Sequence, residues 1–129
     1  MDAAKIVSKI SKEHGIIKNV YFLACGGSLV DLYPGYYFVR AESAVMDAQW
    51  IPAREFALTP PKKLGKDSLL IICSHSGKTK ECLEAAKVGM DAGAAVVTMT
   101  HAPGSPCDCE EWISVVYDWA PGVKEAQKP

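Results

Sequence analysis

Six consecutive residues, Ser74-His75-Ser76-Gly77-Lys78-Thr79, place three hydroxyls and a glycine between the apolar run SLLIIC and a helix-forming run, KECLEAAKVGMDA. Hydroxyls are uncharged donors, Gly77 lets the backbone come close, and the free amides of a helix's first turn point at the same spot. The helix dipole there favours a negative charge by up to about 2 kcal/mol when the site is partly buried. A second polar turn, Cys25-Gly26-Gly27-Ser28, follows another apolar run. Gly26 and Gly27 remove side chains from it, and Ser28 adds a hydroxyl from the next helix start. Serine and threonine at these places are also ordinary helix caps, so either turn alone is ambiguous. Two that converge make a ligand site, and mostly uncharged donors suit a phosphate monoester better than a triphosphate with magnesium.

Spacing separates the rival anion sites. A triphosphate loop needs glycine five positions before its final Gly-Lys, and Ile72 stands there. A low-molecular-weight phosphatase loop needs arginine six residues after its cysteine; Thr79 follows Cys73 and Asp31 follows Cys25 at that distance. A flavodoxin-type flavin-phosphate loop has similar hydroxyls but follows the first strand, which makes a flavin carrier the distant alternative. Cys107 and Cys109, even with His101, lack a second ligand pair at zinc-like spacing. Neither a metal nor a cofactor is expected.

The elements that must position the two turns alternate along the chain. Strands are expected over Asn19–Cys25, Ala44–Trp50, Ser68–Cys73, Ala94–Thr100 and Trp112–Tyr117, with helices over Leu29–Ala41, Ile51–Leu58 and Thr79–Ala92. The last helix carries a small-residue stripe of Cys82, Ala85, Ala86 and Gly89 with charges opposite. Strands joined by helices imply parallel β-α-β units. The fold class is therefore α/β: a three-layer α-β-α sandwich on a five-stranded parallel sheet in flavodoxin-like order 2-1-3-4-5. In that order the two turns meet at the switch point between strands one and three, where such sheets bind ligands. After the fifth strand the chain runs DWAPGVKEAQKP, with Val123–Lys128 resembling a helix start. No closing helix follows, so one sheet face is expected to be bare.

Bulk properties narrow the function. A chain of 129 residues suits one domain, and a net charge of −1 gives no general attraction to nucleic acid or anionic membrane. No apolar run approaches the roughly 20 residues of a membrane span, and the N-terminus lacks a signal-peptide apolar segment. An odd cysteine count, with Cys25 and Cys73 inside apolar runs, fits reduced thiols and a cytoplasmic protein.

The pairing of CGGS with a later SHSGKT resembles the sugar isomerase (SIS) domain family, which carries a C-G-x-S turn and an S-x-S-G-x-T loop in this order. The likeness runs from about Val20 to Tyr117. It implies that Ser28, Ser74, Ser76 and Thr79 hold a sugar phosphate, with the Gly77 and Lys78 amides alongside; the Lys78 side chain takes a variable position facing solvent. His75 stands where related enzymes carry glutamine, which implies a sugar contact, as it does for Gly26 and Gly27. Glu55 matches a Glu-Phe pair common after the second strand, implying a place near the sugar or a dimer contact; equally it caps or pairs with Arg54. The wording YFLACGGSLVDLYPGYYF, then REF, then SHSGKT looks most like fructosamine-6-phosphate deglycases, which carry two SIS domains. Residues 1–129 are accordingly expected to be a single SIS domain, the first part of a longer chain. Their ligand is expected to be a phosphorylated sugar or fructosamine. The catalytic glutamate and histidine usually come from the second domain, so turnover by this chain alone is expected to be negligible. A stand-alone phosphosugar sensor is the alternative. The aromatic stretch Leu32–Phe38 points to a homodimer.

Overall fold

The computed structural model describes residues 2–118. The elements are α1 (Ala3–His14), β1 (Asn19–Ala24), α2 (Gly27–Glu42), β2 (Asp47–Pro52), α3 (Ala53–Leu58), β3 (Ser68–Cys73), α4 (Lys80–Asp91), β4 (Ala95–Thr100) and β5 (Ile113–Val116). All strand pairs are parallel, and the sheet order is β2-β1-β3-β4-β5. This is the sandwich and the order expected from the sequence.

Period-two alternation divides the core between two faces. Tyr21, Leu23, Leu70, Ile72 and Val96 pack with Ala53 and Phe56 of α3 and with Cys82, Ala85 and Ala86 of α4. Val20, Phe22, Ala24 and Cys73 face α2 through Leu32 and Tyr36. β1 is buried at every position, as a central strand covered on both sides should be. The small stripe on α4 is buried as expected, and it lets that helix approach closely: a Cβ on Gly89 would stand 2.4 Å from Leu70 Cδ2.

Four elements differ from expectation; one is α3, which starts at Ala53 and not Ile51 because β2 runs on to Pro52. α1 was not anticipated, and it supplies part of the cover that the sheet was expected to lack. Ile10 packs on Ala95 and Val97, with Ile6, Ile113 and Val115 alongside. The second strand starts at Asp47, not Ala44, because Ser43 Oγ accepts from the amides of Val45 and Met46, at 3.3 and 2.9 Å, and turns the chain first. α2 begins two residues early and passes through Pro34. The proposed helix start at Val123–Lys128 lies outside the described residues. No helix among the described residues is long and apolar enough to cross a membrane.

Candidate functional site

β1 and β3 are level at their carboxyl ends, with Ala24 opposite Cys73. The two polar turns therefore leave the sheet side by side at the switch point. In the first, Gly26 has φ 56° and ψ −130°, a conformation nearly closed to residues with a Cβ. It provides no side-chain cap; in the first turn of α2 the Leu29 amide donates to the Gly26 carbonyl at 3.1 Å, next to Ser28. Trp50 holds this start in place: its Nε1 donates to the Leu29 carbonyl at 2.6 Å, and its ring meets Tyr33 edge-on at 5.1 Å.

The second turn is closed on itself. Ser74 is buried, and its hydroxyl accepts from the Gly77 amide at 3.1 Å while bonding Thr79 Oγ1 at 2.8 Å. Ser76 Oγ accepts from the Lys78 amide at 3.2 Å. The Gly77 and Lys78 amides thus donate within the loop. Thr79 occupies the N-cap position of α4 but makes no capping bond, because its hydroxyl is turned to Ser74. The first amides of α4 are consequently left without a side-chain acceptor. Ser76 and Lys78 are exposed. The turn thus combines outward-facing groups, an uncapped helix start and a rigid hydroxyl pair, the parts an anion cradle needs.

Reading the sequence missed a third wall. The segment HAPGSPCDCEE between β4 and β5 folds against the hydroxyl loop: Cys107 N donates to the Gly77 carbonyl at 3.0 Å. The Cys107 carbonyl in turn accepts from Thr98 Oγ1, Trp112 Nε1 and Ser114 Oγ at 2.8, 3.0 and 3.1 Å. Gly77 has φ 69°, and a Cβ there would fall 1.9 Å from Ser105 Oγ and 2.9 Å from Thr100 Oγ1. Two signals were present in the sequence: an apolar-sized Cys107 inside a polar run, and a β4–β5 link without helix periodicity.

His75 joins a cluster that extends the site towards β5. Its Nδ1 lies 3.0 Å from Tyr117 Oη, and its ring stacks on His101 at 5.0 Å and 8°. Burial, followed by the neighbouring Cys73, pushes the Tyr117 hydroxyl up to about 12. Burial also raises the Cys73 thiol, partly offset by the nearby hydroxyls of Tyr117 and Ser28. Of these groups, Tyr117 and His75 are joined by a direct hydrogen bond. Glu55 lies apart from these contacts, exposed in the first turn of α3. Among the described residues, no ion pair joins it to Arg54. The cysteines are free thiols, and no group of three or more His, Cys, Asp or Glu among the described residues could hold a metal.

A doubly wound parallel sheet with glycine-and-hydroxyl turns at its switch point defines the class: a flavodoxin-like α/β domain. No protein-family model matches the chain. Fructosamine deglycase FrlB of Bacillus subtilis (strain 168) is 41% identical over 103 residues, which are 80% of this chain and 31% of that protein. A glutamine–fructose-6-phosphate aminotransferase (isomerizing) of Clostridium tetani is 32% identical over 113 residues, covering 87% of this chain and 18% of that one. The solved structure of a candidate phosphosugar isomerase from Salmonella typhimurium LT2 superposes with TM-score 0.85 at 35% identity, over 99% of this chain and 40% of that one. The chain belongs to the sugar isomerase (SIS) domain family. It spans about a third or less of the curated relatives it matches.

Proposed function

We propose that this domain binds a sugar 6-phosphate, and that it serves as the N-terminal SIS domain of a fructosamine-6-phosphate deglycase or a ketose–aldose isomerase. The observation that carries the proposal is the level exit of two glycine-bearing turns at the switch point. They bring Ser28 beside Cys73 and the Ser74–Thr79 hydroxyl pair beside an uncapped helix start. The likeness to the Bacillus subtilis deglycase supports the choice of reaction. In this reading Ser28, Ser74, Ser76 and Thr79 hold the phosphate, with the α4 dipole behind them, and His75, Gly26 and Gly27 border the sugar. The carboxylate that moves a proton between C1 and C2 comes from outside residues 1–129. Glu55 borders a contact surface. The domain works in the cytoplasm, where buried free thiols persist, and it self-associates as a dimer.

A thermal-shift panel of hexose and amino-sugar 6-phosphates tests the site. One member should raise the unfolding midpoint, and Ser76→Ala should abolish the rise while leaving the ligand-free midpoint within a degree or so, as for an exposed polar change. A panel with no response at millimolar concentrations would reject the site. The reaction is tested separately: the 129-residue chain should leave fructoselysine 6-phosphate intact, and enzyme-like turnover would refute an external base.

A further inference from the structure

We propose that Tyr117 is a positioning residue for the hydroxyl loop, orienting His75 through its side chain and His101 through its backbone. The proposal rests on reading that loop as the sugar-phosphate site. Tyr117 immediately follows β5 and is tied to the end of β4 by its N–H, which donates to the Thr100 carbonyl at 3.0 Å. From this fixed point its hydroxyl reaches His75 Nδ1 at 3.0 Å, and its carbonyl takes a hydrogen bond from His101 Nδ1 at 3.0 Å. A carbonyl only accepts, so His101 carries a proton on Nδ1. The tyrosine ring lies against both imidazoles, with centroids 6.0 and 5.9 Å away.

Stacking couples the two histidines. Their rings are nearly parallel, so a rotation of one displaces the other. The backbone of His75 is held from a different element: its carbonyl accepts from His101 N and from Thr100 Oγ1, each at 3.2 Å. His75 is thus anchored at its carbonyl by β4 and at its ring by the residue after β5. It stands between Ser74 and Ser76, so fixing it fixes the direction of the hydroxyls on either side. The Tyr117 hydroxyl stays neutral well above physiological pH. It can therefore donate to Nδ1 or accept from it, so the bond holds the His75 ring in place with either neutral tautomer.

The test uses the 129-residue chain labelled with ¹⁵N in histidine, with glucose 6-phosphate and inorganic phosphate as probes. Tyr117→Phe removes only the hydroxyl. It should change the long-range ¹H–¹⁵N pattern of His75, and should weaken glucose 6-phosphate binding about threefold to tenfold, as for one lost hydrogen bond. In a His75→Ala background the same substitution should cause no further weakening, because its effect passes through His75. An unchanged His75 pattern overturns the proposal, as does equal weakening in both backgrounds. A lower melting temperature with unchanged affinity also overturns it, by assigning Tyr117 a structural part only. Wild-type protein that binds neither probe would sink the phosphate site itself, and Tyr117's part in it, a result separable from the others because the unsubstituted chain already gives it.

Discussion

Gly77 carries two demands at once, and each has a measurable consequence. Its φ of 69° lies in the left-handed region, and the space where a Cβ would stand holds Ser105 Oγ. Gly77→Ala should therefore lose about 1–2 kcal/mol from backbone strain alone, and more from displacing Ser105 and the loop it anchors. Chemical denaturation would show this as a lower midpoint, and the thermal response to glucose 6-phosphate should disappear. A stable variant with intact response would mean that the loop bends freely, contrary to its bonds to Cys107. Tyr21 poses the opposite case. Its hydroxyl is buried and has no hydrogen-bond partner among the described residues. Burial, then Asp67 and Asp47, raise its pKa. Removing an unsatisfied buried hydroxyl relieves a desolvation cost on the order of 1–3 kcal/mol, so Tyr21→Phe should hold or raise the melting temperature; a clear fall would reveal a bond that the hydroxyl makes. At this scale the sequence was informative about residue types. Hydroxyls and glycines marked out the two turns that leave the sheet side by side at the switch point. It could not tell that Thr79 bonds Ser74 instead of capping α4, since both uses need the same side chain at the same position.

At the scale of elements, α4 shows why the pattern was readable. A stripe of Cys82, Ala85, Ala86 and Gly89 suits close approach, and there the helix is buried with no room for a Cβ on Gly89 beside the Leu70 side chain. Gly89→Leu should destabilise by about 1–3 kcal/mol through overpacking against Leu70 and Val96. Unfolding monitored by circular dichroism would measure it, and a neutral outcome would contradict the packing. α1 was overlooked although its signals were present. Asp2 accepts from the Lys5 amide at 2.9 Å, and Ile6 and Ile10 lie one turn apart on the side that meets β4 and β5. Lysines and serines between them hid the period. The second strand was misplaced for a different reason. As an edge strand it buries few side chains, so its register is set by pairing Asn19 with Asp47, a tertiary choice that composition does not carry. Central strands β1 and β3 were legible because burial on both faces leaves continuous apolar runs.

Across the whole molecule, four thiols and two phenols sit where burial makes them resist ionisation. Burial raises the thiols of Cys25, Cys73, Cys82 and Cys107 above their ordinary value of 9.0, and the hydroxyls of Tyr21 and Tyr117 above 10.0. Above those values the unfolded chain releases protons that the folded chain keeps, so unfolding is favoured as pH rises; below them both states are protonated and nothing changes. The melting temperature should be insensitive to these groups up to about pH 9 and should decline through pH 12. Cys82→Ala should flatten the first part of that decline, and a midpoint indifferent to pH between 9 and 11 would refute the assignment. The surface makes a second demand. α2 is apolar nearly all round, and besides burying Leu32 it exposes Val30, Tyr33, Tyr37 and Phe38, the last at 66%. A helix of that kind usually gains a partner on its outer side, and a second copy is the simplest closed arrangement. Light scattering after size exclusion should give twice the monomer mass at micromolar concentration. Phe38→Glu should shift it to monomer without lowering the melting temperature of the isolated domain, because Phe38 takes little part in the domain's own core. A wild-type monomer at all concentrations would reject the dimer, and a dimer indifferent to Phe38→Glu would place the contact on another face.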